Sequence, residues 1–137
     1  MAALTADKAT VRFGRQTSDS PHRLGIKAAT NIYAGALCVN DGGTAAPART
    51  ATGLTVIGVS RKRYDNTGGA ANAIYGEFDG GSHLFVNAGD ITAANINADC
   101  FAVDDQTVSL DATGKSRAGT IVDVNPPGFT GVVVRFP

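Results

Sequence analysis

Residues 100–125 read CFAVDDQTVSLDATGKSRAGTIVDVN. Short apolar runs, CFAV, TVSL and TIVDV, are separated by polar breaks, and three acids, Asp104, Asp105 and Asp123, sit among them. Two readings compete. Either the acids are reacting or metal-binding groups, or they are the corners and outer faces of β-hairpins. CFAV and TVSL must reverse at Asp104-Asp105-Gln106, where an Asp carboxylate accepts hydrogen bonds from nearby backbone N–H groups. TIVDV (120–124) puts Asp123 on the face opposite Val122 and Val124, towards solvent. General acid–base chemistry needs a carboxylate held in a cleft with a partner. The D-x-[DN]-x-[DN]-G calcium pattern is missing. The stretch therefore predicts strands joined by tight turns, with the acids as corners.

The same pattern extends in both directions. RLGIKA (23–28) alternates, with Leu24, Ile26 and Ala28 on one face, as a half-buried strand does. ALCVN (36–40) is a second strand, closed by the tight-turn signal Asp41-Gly42-Gly43. LTVIGVSRKRYD (54–65) begins apolar and ends charged, with Ile57 and Val59 followed on one face by Arg61 and Arg63. DNTGGAANA (65–73) has the composition of a flexible loop. AIYGEFD and SHLFVN flank Gly80-Gly81 and predict a hairpin over 73–87, with Ile74 and Phe78 on one face and Leu84 and Val86 sharing the core. ITAANIN (91–97) is the one plausible helical turn, with Thr92 as N-cap. Asn125-Pro126-Pro127-Gly128 is a turn, and GVVVRFP closes the chain as a strand, Pro137 fitting only its end. Seventeen glycines, no Trp and a single Met agree with an all-β chain rich in turns.

Bulk composition narrows the function. The 137 residues make one domain able to bury a single core. Twelve basic residues balance twelve acidic ones, so no general attraction to nucleic acid is expected. No apolar run approaches the ~20 residues of a membrane helix. The N-terminus MAALTADKATVRFGRQ lacks the apolar stretch of a secretory signal, so folding in the cytosol is expected. Cys38 and Cys100 stand alone in apolar contexts and read as reduced, buried small hydrophobes. His22 and His83 are far from both cysteines and from each other, which gives no metal-ligand spacing. Ser60, Ser82, Ser109 and Ser116 lack a G-x-S-x-G elbow. No catalytic, cofactor-binding or metal residues are expected, and the chain is not read as an enzyme.

Residues 1–20 form a polar, extended arm, weakly packed on the domain made by residues 21–137, with a turn-like SDSP at 18–21. Leu4, Val11 and Phe13 are its isolated apolar points. Arg61, Lys62, Arg63 and Tyr64 form the one dense basic cluster, readable as an interface patch or as a solvated strand end.

Three stretches together carry a resemblance. KAATNIYAGALCVNDGG, ATGLTVIGVSRKRYDNTGGAANA and ITAANINADCFAVDDQTVSLDATGKSRAGTIVDV, in that order and spacing, resemble the small capsid cement (decoration) proteins of Mu-like and related tailed bacteriophages. The most distinctive pieces are IYAGAL, ATGLTVIGV leading to DNTGGA, and VDDQTV followed by AGTIVDV. The likeness covers nearly the whole chain. It departs in the middle segment IYGEFDGGSHLFVN, with acids where basic residues are common, and in the ending GVVVRFP, where a Trp is often found.

The resemblance implies a compact β-barrel or β-tulip-like domain on the outer surface of the virion capsid. It also implies binding to the major capsid protein and homotrimers at threefold and local-threefold positions. An extended arm can add to an exposed sheet edge, so Leu4, Val11 and Phe13 are candidate anchors, and Arg12 and Arg15 candidate partners for shell carboxylates. Arg61, Arg63 and Tyr64 are the further candidate contacts. The competing reading of the arm is a frayed terminus without a role. The competing function is a virion-displayed module binding a host glycan or host surface through DNTGGAANA or DATGKSRAG. The absence of Trp and the three Tyr weigh against a glycan platform.

Overall fold

The computed structural model describes residues 2–13 and 22–136. Arg15, the SDSP stretch and Pro137 lie outside the described residues. Strand β1 (Arg12–Phe13) ends the described part of the arm. Then follow β2 (His22–Gly25), β3 (Asn31–Ile32), β4 (Leu37–Asp41), β5 (Thr44–Pro47), β6 (Thr55–Ser60), β7 (Tyr64–Asp65) and β8 (Tyr75–Asp79). The second half contributes β9 (Ser82–Asn87), β10 (Asp99–Ala102), β11 (Thr107–Ser109), β12 (Arg117–Val124) and β13 (Val132–Arg135). A 3₁₀ turn at Ala93–Asn95 is the sole helical element among the described residues, where the ITAANIN reading placed it. Its Thr92 N–H donates to Asn95 Oδ1 at 2.8 Å.

The chain is all-β and forms a small barrel. Strands β9, β11, β10, β12 and β13 are hydrogen-bonded in that order, and β13 pairs back onto β9. The ring of five leaves no long open edge. The first half forms a second sheet, β2-β8-β6-β4-β5. Its edges meet at a parallel bridge between Ile26 and Ala45, where Lys27 N–H donates to the Ala45 carbonyl at 3.0 Å. Strands β3 and β7 make a separate two-stranded ribbon.

Strand β4 shows why apolar runs in this chain do not alternate. Leu37 and Val39 enter a large cluster with Phe85, Cys100, Val108, Ile121, Val132 and Val134. Cys38, between them, points into a smaller cluster with Ile26, Ile32, Ala45 and Phe78. A strand buried on both faces reads as a continuous hydrophobic run. Full burial of each large side chain contributes about 1.5–3 kcal/mol. Cys38 and Cys100 are free and buried, as their contexts imply. Burial pushes both thiols up, Cys100 to about 12.

The local reversals lie where the sequence puts them. Asp41 pairs with Thr44 across Gly42 and Gly43, whose φ angles of 64° and 104° make a primed two-residue turn open to glycine. Strands β10 and β11 pair antiparallel across Asp104-Asp105-Gln106, and Asp104 Oδ1 accepts the Gln106 N–H at 2.9 Å. The loop DNTGGAANA is less loose than its composition. Asn66 is buried within it, and its Nδ2 donates to the carbonyls of Lys27 and Ala70 at 3.0 Å each.

Several expectations are corrected. Residues 73–87 are not a hairpin. β8 already pairs with β2 and β6, so no edge remains for β9, and Gly80-Gly81 carries the chain from one sheet to the other. Within β9 the inward residues are His83 and Phe85. Leu84 is only half-buried, and Val86 is 39% exposed. Ile57 and Val59 do not share a face: Ile57 packs on the smaller cluster and Val59 on the larger. The pairing of β6 with β4 skips Ile57, Cys38 facing Gly58 and Val39 facing Val56. That bulge inserts one residue and flips the alternation. A second irregularity leaves Val122 out of the β12–β13 register and exposed, so it does not share a buried face with Val124. Ala28 is exposed in a turn and does not continue the face of Leu24 and Ile26.

Candidate functional site

The arm lies along the barrel and is tied to it at several points. Leu4 N–H donates to Asp105 Oδ1 at 2.8 Å. Asp7 Oδ1 accepts the Ala34 N–H at 2.9 Å, and Lys8 N–H donates to the Ala34 carbonyl at 2.8 Å. The Leu84 N–H donates to the Val11 carbonyl at 2.9 Å. Arg12 and Phe13 then pair antiparallel with His83 and Ser82. The arm, expected to pack weakly on its own domain, instead adds a two-residue strand to it, on the part of the β9 edge that β11 leaves uncovered.

Of the candidate contacts, Leu4 is half-buried against the smaller cluster. Phe13 sets its ring edge-on to Phe129, with centroids 5.4 Å apart. The basic cluster divides. Arg61 Nε reaches Asp79 at 2.8 Å and its Nη1 reaches Glu77 at 3.1 Å. The Arg63 guanidinium lies 5.2 Å from the Tyr33 ring centre. Tyr64 belongs to the interior: its ring is 6.0 Å from that of Phe78, and its hydroxyl accepts the Glu77 N–H at 3.0 Å. Arg12 and Arg61 are brought together; Leu4, Arg63 and Tyr64 are placed elsewhere. Arg15 lies outside the described residues.

Arg12 and Arg61 share a groove of about 730 Å³ between the arm and the ends of β6, β8 and β9. Lys8, Thr10, Asp79 and His83 complete its polar lining. The floor residue, His83, is 3% exposed. It stacks on Phe136 with centroids 5.4 Å apart, and its Nδ1 is buried without a hydrogen-bond partner. Burial lowers its pKa to about 4; Asp79 opposes this, and Arg12 across the strand pair reinforces it. Sequence alone missed His83 because SHLFVN permits two alternations. The greater volume of Phe85 is the signal that would have chosen the one placing His83 inside.

The acids of the opening stretch separate as well. Asp104 is a corner. Asp123 is half-buried and accepts the Val124 N–H at 2.8 Å. Asp105 is at the corner in position but is 3% exposed. Burial raises its pKa, the Leu4 N–H opposes this, and the charge of Asp104 adds to it. A folded-state pKa above the unfolded one gives stability that is present at acid pH and lost as pH rises through the folded value. Asp105→Asn keeps an oxygen for the Leu4 N–H without the buried charge. It is expected to raise the urea midpoint at pH 7 and leave it unchanged at pH 3. A lower midpoint at pH 7 would contradict this reading.

Three of the four serines donate hydrogen bonds within the fold. Ser60 Oγ donates to the Lys62 carbonyl at 2.6 Å, Ser116 Oγ to the Ala51 carbonyl at 2.7 Å, and Ser109 Oγ to Asp90 at 2.6 Å. Among the described residues, no cluster of His, Cys, Asp and Glu is arranged to hold a metal.

Fold and site together define a small all-β barrel protein with an extended N-terminal arm and a polar groove beneath that arm. No family model, curated protein or solved structure matches the chain.

Proposed function

We propose that the chain is a bacteriophage capsid decoration protein, which binds the outside of the head and ties neighbouring major capsid protein subunits together. The observation that carries this reading is where the resembling stretches fall. IYAGAL leads from β3 into β4, LTVIGV is most of β6, VDDQTV spans the β10–β11 reversal, and AGTIVDV is most of β12. These segments supply Leu37, Val59, Val108 and Ile121 to one packed cluster, so the likeness follows the framework of a rigid body.

Adhesion needs stiffness and several modest contacts, not a reacting group. A homotrimer seated between capsomers turns its second and third contacts into intramolecular events. Avidity then exceeds single-site affinity by ~10²–10⁴. The arm and the groove beside it are the proposed contact face, with Arg12 on the arm and the Arg61–Asp79–Glu77 ion cluster at its edge.

Cosedimentation with empty, expanded phage heads tests the reading. The full chain is expected to pellet with heads and to saturate. A chain lacking residues 2–16 should remain soluble, although less stable without Leu4 and β1, and should stay in the supernatant. Undiminished pelleting by a folded truncation would remove the arm from the contact face, and absence of pelleting by the full chain would remove the function.

A further inference from the structure

We infer that the outer end of the arm, residues 10–13, is a proton-operated strap: it lies docked on β9 while His83 is neutral and lifts off when the ring takes up a proton. The inference stands on the fold and does not depend on the capsid reading.

His83 sits where the arm covers the barrel. Arg12 is its partner in the β1–β9 register, and Thr10 and Arg12 line the groove that has His83 at its floor. An imidazolium donates from both ring nitrogens, whereas the neutral ring can carry its one hydrogen on Nε2. Among the described residues nothing accepts from the buried Nδ1. A proton therefore leaves a buried donor unpaired, and that penalty exceeds what a hydrogen bond ordinarily contributes.

The surrounding charges do not offset it. Lys8 and Arg12 on the arm and Arg61 at the end of β6 face the groove, as do Asp7 on the arm and Asp79 on β8. With Glu77, which is paired with Arg61, the two signs balance. Arg12 and Asp79 act on the ring in opposite senses, and burial outweighs both. From β13 the ring meets Val134 and Phe136, and Arg135 between them is exposed.

Water reaches the ring at least cost by way of the arm. Strand β9 is hydrogen-bonded to both β11 and β13. The strap is held by less: a two-residue strand, the Leu84 N–H donated to the Val11 carbonyl, the Thr10 hydroxyl donated to the Gly35 carbonyl, and the Phe13–Phe129 ring contact. Such short edge elements open locally without unfolding of the body. Upstream, Leu4, Asp7 and Lys8 keep ties of their own. Once the strap lifts, the ring regains water and its pKa returns from about 4 towards 6.5. The lifted form binds the proton more tightly, so acid favours it, by up to about thirtyfold at pH 5. Lifting also bares the β9 edge at Ser82 and His83.

The test is amide hydrogen exchange of the full chain at pH 7 and pH 5, corrected for intrinsic rates, together with NMR titration of His83. The Leu84 amide is expected to exchange at least tenfold faster at pH 5. The Val86 amide, donated to the Gln106 carbonyl from the same strand, should keep its protection. His83→Phe should abolish the acceleration. Phe13→Ala weakens the strap and, by reciprocity, should raise the midpoint of His83 titration. Equal acceleration at Leu84 and Val86 would mean that the barrel itself opens, and undiminished acceleration in His83→Phe that another group operates the strap; either result overturns the inference. Should His83→Phe fail to fold, the Phe13→Ala titration decides: a raised midpoint supports the strap and an unmoved one overturns it.

Discussion

Gly58→Ala is expected to cost about 3 kcal/mol or more of folding stability, among the larger effects a single methyl group produces. Two causes add. Gly58 has φ +135°, a region that side chains avoid. A Cβ there would also run into the backbone carbonyl of Asp79 on the neighbouring β8. Neither is relieved cheaply, because Gly58 adjoins the bulge at Ile57 that sends Ile57 and Val59 to different clusters. Gly114→Ala is the control. Its φ is +68° and nothing lies within 4 Å of the added Cβ, so a loss of only about 1 kcal/mol is expected. Urea denaturation of the two variants makes the comparison, and equal midpoints would show that the bulge is not the constraint described.

The second large effect is one of pH. The folded chain holds His83 near 4, against an ordinary value of 6.5. On acidification the unfolded chain therefore takes up the proton first. The stability tied to the neutral ring is fully present above pH 6.5 and is lost as pH falls towards 4. The difference amounts to up to about 3 kcal/mol, at ~1.36 kcal/mol per pH unit. His83→Phe retains a ring against Phe136 and cannot titrate, so its stability should stay level from pH 6.5 to 4 while that of the parent declines. Parallel curves for the two proteins would place the acid sensitivity elsewhere. Asp105 acts with the opposite sign, contributing stability on the acid side, so the two substitutions have opposite pH signatures.

How much of this was legible beforehand follows the range of each interaction. The all-β class, the Asp41-Gly42-Gly43 turn, the reversal at Asp104-Asp105-Gln106 and the ITAANIN turn depend on neighbours a few residues apart, and all were readable. The sheet change at Gly80-Gly81 was not, because it depends on whether β8 has a free edge, and that is decided by β2 and β6 far along the chain. The two bulges broke period-two reasoning at Ile57–Val59 and at Val122, each an extra residue that no alternation rule anticipates. Burial of Asp105 was hidden because it depends on a distant segment. Its cover is Leu4, 101 residues away. For the groove, Arg12 and Arg61 stood out as charges, but Lys8 and His83 gain meaning only once the arm lies over the barrel.

That docking bears on the proposed role. The arm already occupies part of the β9 edge, so a shell contact would be made by its exposed side and by the groove, not by strand addition to an empty edge. Several weak, charge-dependent contacts per protomer would fall off with added salt. Trimeric avidity would offset the loss only in part.

A reconstruction of phage heads incubated with the full chain tests the central claim most directly. The account predicts density for the barrel outside the shell at threefold and local-threefold positions, with the arm and the groove beneath it facing the capsid. Bare shells at saturating protein would contradict it.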